Sequence, residues 1–163
     1  MSEWRLIESF PGYSVSDDGQ VRNEKTERIL SLLVNQCGVV SVSLMRDHIQ
    51  YKRSVSILVA EAFLEDKPQP SFVSPINLDG DRSNNTVENL RWRPRWFAVK
   101  YFRQFKSGRI SCRRRIEDID THQEFNSSWD AATKFGLLDA EILIAMRHNI
   151  YVWPTFQRFR IIR

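Results

Sequence analysis

Cysteine is scarce in the 163 residues: Cys37 and Cys112 stand far apart and form no Cys-x-x-Cys pair. That spacing excludes a zinc ribbon and a disulfide-stapled secreted scaffold, and leaves two free thiols. Histidine is nearly as rare, with only His48, His122 and His148. Each falls at an expected turn or helix end, so exposed turn chemistry is expected of all three rather than catalysis. No Gly-rich phosphate loop occurs, and no Ser-His-Asp or Cys-His constellation has support. No apolar run approaches the roughly 20 residues needed to cross a bilayer, so no membrane partner is expected. The opening Met1-Ser2-Glu3-Trp4-Arg5 has an early acid and no apolar stretch, unlike a secretory signal, and a cytoplasmic protein is expected.

The most informative absence is that of acids between Arg91 and Arg115, where ten Lys/Arg stand with no Asp or Glu. Residues 1–90 hold nine Lys/Arg against thirteen Asp/Glu, and residues 116–163 five against seven, so the mild net charge of +4 conceals a block of +10. Charge segregated in this way calls for a partner of opposite sign. Hydrophobic residues at 42% and charged residues at 27% are those of a globular chain, long enough for one ordinary domain or two small ones.

The first third reads as short β-structure. Trp4 to Ile7, Tyr13 to Val15 and Gln20 to Arg22 are brief strands, with Asp17-Asp18-Gly19 as a turn. Ile29 to Val34 and Val39 to Met45 follow, the second alternating Val40, Val42 and Leu44 against Ser41 and Ser43. The period then changes to that of an amphipathic helix over Val55 to Leu64. A break at Asp66 to Pro70 leads to a strand, Phe72 to Ile76, an Asx-rich turn from Leu78 to Asn85, and a short helix, Val87 to Leu90. The basic stretch contains Pro94 and Gly108, so one continuous helix is not expected there. In the last third, Arg115 to Ile119 and Glu124-Phe125 form a hairpin about Thr121-His122-Gln123. Ser127 or Ser128 caps a helix, Trp129 to Phe135, which Gly136 ends. A second helix covers Asp139 to Arg147, and a final strand Thr155 to Ile162. Helix, Gly turn, helix is the outline of a helix-turn-helix, and equally of a helical hairpin packed on a sheet.

Collinear stretches carry a resemblance. Trp4, Ile7, Gly12-Tyr13-Ser14-Val15-Ser16, Gly19 and Val21-Arg22-Asn23 resemble the N-terminal module of phage HNH homing endonucleases. Leu58-Val59-Ala60-Glu61-Ala62-Phe63, Asp79-Gly80-Asp81-Arg82-Ser83-Asn84-Asn85 and Glu88-Asn89-Leu90-Arg91-Trp92 resemble the HNH core. Phe125, Ser127, Ala131-Ala132, Gly136, Ile142 and Phe156 to Arg160 resemble the C-terminal DNA-binding repeat. The resemblance implies an α+β chain: an N-terminal β-meander, a ββα-metal-like HNH core, a basic linker, and a C-terminal β-hairpin plus helix-turn-helix. The corresponding division is 1–92, 93–115 and 116–163. It also implies the cytoplasm of a bacterial host.

In such enzymes a histidine is the general base, and a neighbouring Asp or Asn with an Asn or His on the following helix holds one divalent metal. By the resemblance the base position is Asn77, which has no basic nitrogen, and the ligand positions are Ile76 and Ala98, which cannot coordinate. Asn89 alone is retained. The family's His-Arg before Leu-Val-Ala is replaced by Ser56-Ile57. The implied chemistry is therefore lost, with no cofactor expected and Mg²⁺ required only if a nuclease survives. Asp79, Asp81, Asn84 and Asn85 are read as a structural turn rather than a cation site.

The surviving function is expected in Arg91, Arg93, Arg95, Trp96, Lys100, Arg103, Lys106, Arg109, Arg113, Arg114 and Arg115, where cations for phosphates interleave with rings for stacking. Against sequence reading by the second C-terminal helix stand two acids at its start, Asp139 and Glu141. Three functions follow: a nuclease-dead DNA-binding regulator or accessory factor of a phage or mobile element; an inhibitor gripping a host protein that handles nucleic acid; or a residual HNH endonuclease or nickase.

Overall fold

The computed structural model describes residues 1–65 and 67–163, so Asp66 in the expected Pro-rich break lies outside the described residues. The chain forms two compact units, residues 1–95 and 96–163.

Unit one begins with the expected meander: β1 (Trp4–Leu6), β2 (Tyr13–Ser16) and β3 (Val21–Asn23), antiparallel with β2 central. The turn between β2 and β3 is closed by the Ser16 hydroxyl, which accepts the Gln20 N–H at 2.8 Å. A second sheet holds β4 (Leu33–Val34), β5 (Val40–Arg46) and β6 (Ile49–Ser54) in that order. The alternation in β5 does what it implies, burying Val40, Val42 and Leu44. Asp47 and His48 form the β5–β6 tip, both with positive φ.

The expected strand over Ile29 to Val34 is reduced to one bridge between Ile29 and Arg22 and the two residues of β4. Leu32, Leu33 and Val34 are exposed, because this stretch lies on a sheet edge and buries neither face. The edge strand β6 carries a weak sequence signal, since Ile49 and Tyr51 alternate with Gln50 and Lys52 for only four residues before the polar pair Arg53-Ser54.

Helix α1 (Val55–Phe63) sends Val55, Leu58, Val59 and Ala60 into the core shared with Ile7, Phe10, Val15, Val21 and Leu90. A hairpin of β7 (Ser74–Asn77) and β8 (Leu90–Arg93) completes the unit, with Ile76 opposite Arg91 and Asn77 opposite Leu90. The short helix expected before β8 is a 3-10 turn, Val87–Asn89. It is tied to the N-terminal meander by the Val87 N–H, which donates to the Asp17 carbonyl at 2.9 Å. Gly19 has φ +88°, and a Cβ there would stand 3.3 Å from the Asn85 Cβ. Gly19→Ala is thus expected to lose at least about 1 kcal/mol through backbone strain alone, read as a lower midpoint in urea denaturation.

Helix α2 (Arg95–Ser107) occupies the middle of the basic stretch, which as expected is not one continuous helix, though the expected linker is helical over these thirteen residues. Pro94 and Gly108 (φ +61°) bound the helix instead of interrupting it: proline is tolerated before the first turn, and glycine supplies the left-handed exit. Its inward residues Phe97 and Tyr101 are buried, and Phe105 meets Trp129 edge to face at 4.9 Å.

A three-stranded sheet has β9 (Ile116–Asp118) central between β10 (Glu124–Phe125) and β11 (Phe159–Ile161). The last is shorter than the expected Thr155 to Ile162, because Phe156 takes a positive φ in a turn bridged by Val152 and Gln157. His122 sits in the β9–β10 turn and hydrogen-bonds Glu117; that bond, and then Arg160, hold the Glu117 carboxyl below its ordinary range. Helices α3 (Ser128–Phe135) and α4 (Asp139–His148) are joined through Gly136 at φ +68°, with the Ser127 hydroxyl accepting the Asp130 N–H as cap. Ile116, Leu137, Ile142 and Phe159 form their common core.

Candidate functional site

The β7–β8 hairpin followed by α2 has the ββα order, and the residues at its end explain what the hairpin can do. Ile76 is fully buried in β7, and Asn77 beside it is 2% exposed. The Asn77 amide donates both its hydrogens, to the Asn84 carbonyl at 2.8 Å and to the Asn85 side-chain oxygen at 3.0 Å. Asn89 is engaged in the same way, donating to the Asn84 carbonyl at 2.8 Å and to the Asp79 carboxyl at 2.9 Å, while accepting the Asp79 N–H at 3.1 Å. Asp79 also takes the Asn84 amide at 2.7 Å and the Asp81 N–H at 2.9 Å. Ser83, through its hydroxyl and then its backbone N–H, holds the Asp81 carboxyl below its ordinary range.

The polar turn is therefore spent on its own closure, as expected of an Asx-rich structural loop. A divalent ion does not fit here: an apolar side chain occupies one ligand position, an amide the base position, and Asp79 is already surrounded by donors. Among the described residues no three His, Cys, Asp or Glu side chains gather as a metal site. Ala98 is buried in α2, and His48 is exposed at its hairpin tip. Asn77→Ala would take the donor from the buried Asn85 side-chain oxygen and leave the Asn84 carbonyl with Asn89 as its donor, and is expected to cost about 1–3 kcal/mol, seen in chemical denaturation.

The basic residues divide by burial. Arg93 is 6% exposed and donates to the Trp92 carbonyl at 2.7 Å, so it leaves the solvent-facing set. Arg91 is half-buried and turned onto the Glu88 and Leu90 carbonyls. On α2, Arg95, Lys100, Arg103 and Lys106 are exposed at helical spacings that put them on the face opposite Phe97 and Tyr101. Trp96 belongs to the same exposed face and stacks on Trp153 at 5.5 Å and 20°. Arg109, Arg113, Arg114 and Arg115 are exposed after the helix, the last paired with Glu124. The positive charge falls to unit two: residues 96–163 hold twelve Lys/Arg against seven Asp/Glu, residues 1–95 twelve against thirteen.

The acids at the start of α4 are unlike each other. Asp139 is 3% exposed, accepting the Ser111 N–H at 2.7 Å and the Ser128 hydroxyl. It does not face solvent as the sequence suggested; Glu141 does. Gln104, unremarkable in a basic helix, fixes α2 to this corner by accepting the Asp139 N–H at 3.0 Å and donating to the Leu137 carbonyl at 3.2 Å. No sequence signal marked it.

Comparison with known proteins agrees with the fold. Residues 3–45 match the NUMOD4 motif. Two uncharacterized HNH endonucleases of Acanthamoeba polyphaga mimivirus are similar: one is 30% identical over 56% of this chain, the other 36% identical over 53%. The chain spans about a quarter of the length of these relatives, 27% and 22%. Among solved structures, the HNH homing endonuclease I-HmuI, described in its DNA binding and cleavage, aligns over 98% of both chains with a TM-score of 0.57 and 21% identity.

Proposed function

We propose that this relative of the HNH homing endonucleases binds nucleic acid and does not cleave it by HNH chemistry. The observation that carries the binding half is the exposed, acid-free run of cations along α2 and the segment after it. Cations on such a surface neutralise phosphates and release the counterions condensed on the nucleic acid, so the affinity falls with salt. The reading of lost catalysis rests on Asn77 and Ile76. General-base hydrolysis of a phosphodiester needs an accepting nitrogen or carboxylate beside the water and a cation at the developing charge. At this hairpin end an amide whose hydrogens are both donated stands next to an apolar side chain.

The α3–turn–α4 corner fits a helix-turn-helix role, and withdrawal of Asp139 from the surface removes one of the two charges that argued against it. A regulator or accessory factor is the role such a protein would fill.

Fluorescence anisotropy with labelled duplex DNA at several salt concentrations tests the binding, with saturable, salt-dependent affinity expected; no binding at low salt refutes it. Supercoiled plasmid with Mg²⁺ or Mn²⁺ tests the chemistry. The plasmid is expected to stay supercoiled, and nicking abolished by Asn89→Ala would restore the nuclease reading.

A further inference from the structure

Unit two contains an apolar groove of about 300 Å³ between α2, α4 and the segment after α4. Its walls include Trp96, Ile144, Tyr151 and Trp153, and its rim carries one cation, Lys100, and one acid, Glu141. The rings are unusually open for core aromatics: Trp96 is 54% and Tyr151 55% exposed. Lys100 lies 5.4 Å from the Trp96 ring centre, and Arg158 is stacked 5.1 Å from that of Tyr151.

We propose that this groove takes an unpaired nucleobase, so that the protein prefers nucleic acid with an extrahelical or single-stranded nucleotide over a perfect duplex. The inference rests on the nucleic-acid-binding reading and names the form of nucleic acid it favours. A base needs flat apolar walls for its faces, hydrogen-bonding groups for its edge and a cation for its phosphate. Aromatic walls meet the first need. Glu141 can accept from an exocyclic amine, as carboxylates do from the cytosine amino group. Lys100 is at once part of the groove and part of the cationic face of α2, next to Arg103, so a strand held on that face has its bases within reach of the groove. An apolar peptide would use the walls but would meet a row of cations beside them; a nucleotide uses both.

The test compares labelled duplex carrying one unpaired cytosine with the matched duplex, at equal salt. The wild-type protein is expected to bind the bulged form about tenfold tighter, the size of a single base–aromatic stacking contact. That ratio should fall to near one in Tyr151→Ala and in Trp96→Ala. Glu141→Gln, a surface change that leaves packing alone, should move the preference from an unpaired cytosine toward an unpaired thymine. Equal wild-type affinity for the bulged and matched duplexes overturns the inference while the binding reading stands, and leaves the groove to a protein partner. A ratio unchanged in all three variants also overturns it. Failure to bind either duplex removes the binding reading itself.

Discussion

Replacing Arg95, Lys100, Arg103 and Lys106 together by alanine is expected to reduce the slope of log affinity against log salt by about 3.6, at about 0.9 per phosphate contact. Over a fourfold rise in salt, four contacts amount to about a 150-fold change in affinity, so the variant should bind far more weakly at low salt and respond far less to added salt. The four side chains extend from one helix face into solvent, and the residues that hold the helix, Phe97, Tyr101 and Gln104, are untouched. The folded state should therefore survive, with an unchanged circular dichroism spectrum. Arg93→Ala is the contrasting measurement: its guanidinium is buried against the Trp92 carbonyl, so stability should fall while the salt slope stays. A slope unaltered in the fourfold variant would show that the nucleic acid lies elsewhere.

The contrast between Arg93 and Arg95 marks how far the sequence could be read. Periodicity marks α1 and β5, because in each the apolar residues recur at the period of the element that buries them, whereas the cap at Ser127 and the stop at Gly136 mark α3 and, after it, α4. It missed β6 and overextended β4, which lie at sheet edges where neither face is fully covered and the pattern carries little information. Pro94 and Gly108 were recognised as breakers, but their positions at the ends of α2 depend on where the chain turns, which composition does not encode. The motif substitutions at Ile76 and Asn77 were visible as residue types. That the Asn77 amide closes the Asx-rich turn required coordinates, since a turn of Asp and Asn residues can face inward or outward with equal local propensity. The groove was invisible for a related reason: Trp96 and Tyr151 come together only through the packing of α2 on the segment after α4.

Asp139 shows the same limit and gives the second large effect. Read along the chain it is one of two acids at a helix start, where a negative charge favours the dipole and repels phosphates alike. In the fold it receives hydrogen bonds from the Ser111 N–H and the Ser128 hydroxyl, and its own N–H donates to Gln104, so α2, α3 and α4 meet at this residue. Asp139→Ala leaves the half-buried Ser111 N–H and the buried Ser128 hydroxyl without this acceptor and removes the charge at the start of α4. It is expected to destabilise unit two by about 3 kcal/mol, lowering its thermal and urea midpoints. Asp139→Asn should lose part of this, because an amide retains an acceptor for one donor but sets its NH₂ against the other. Glu141→Gln should leave the midpoints where they are, since Glu141 faces solvent. If instead Asp139→Ala kept full stability and gained affinity for DNA, the acid would be acting on the phosphates after all, and the corner of α3 and α4 would have to open in solution for it to do so.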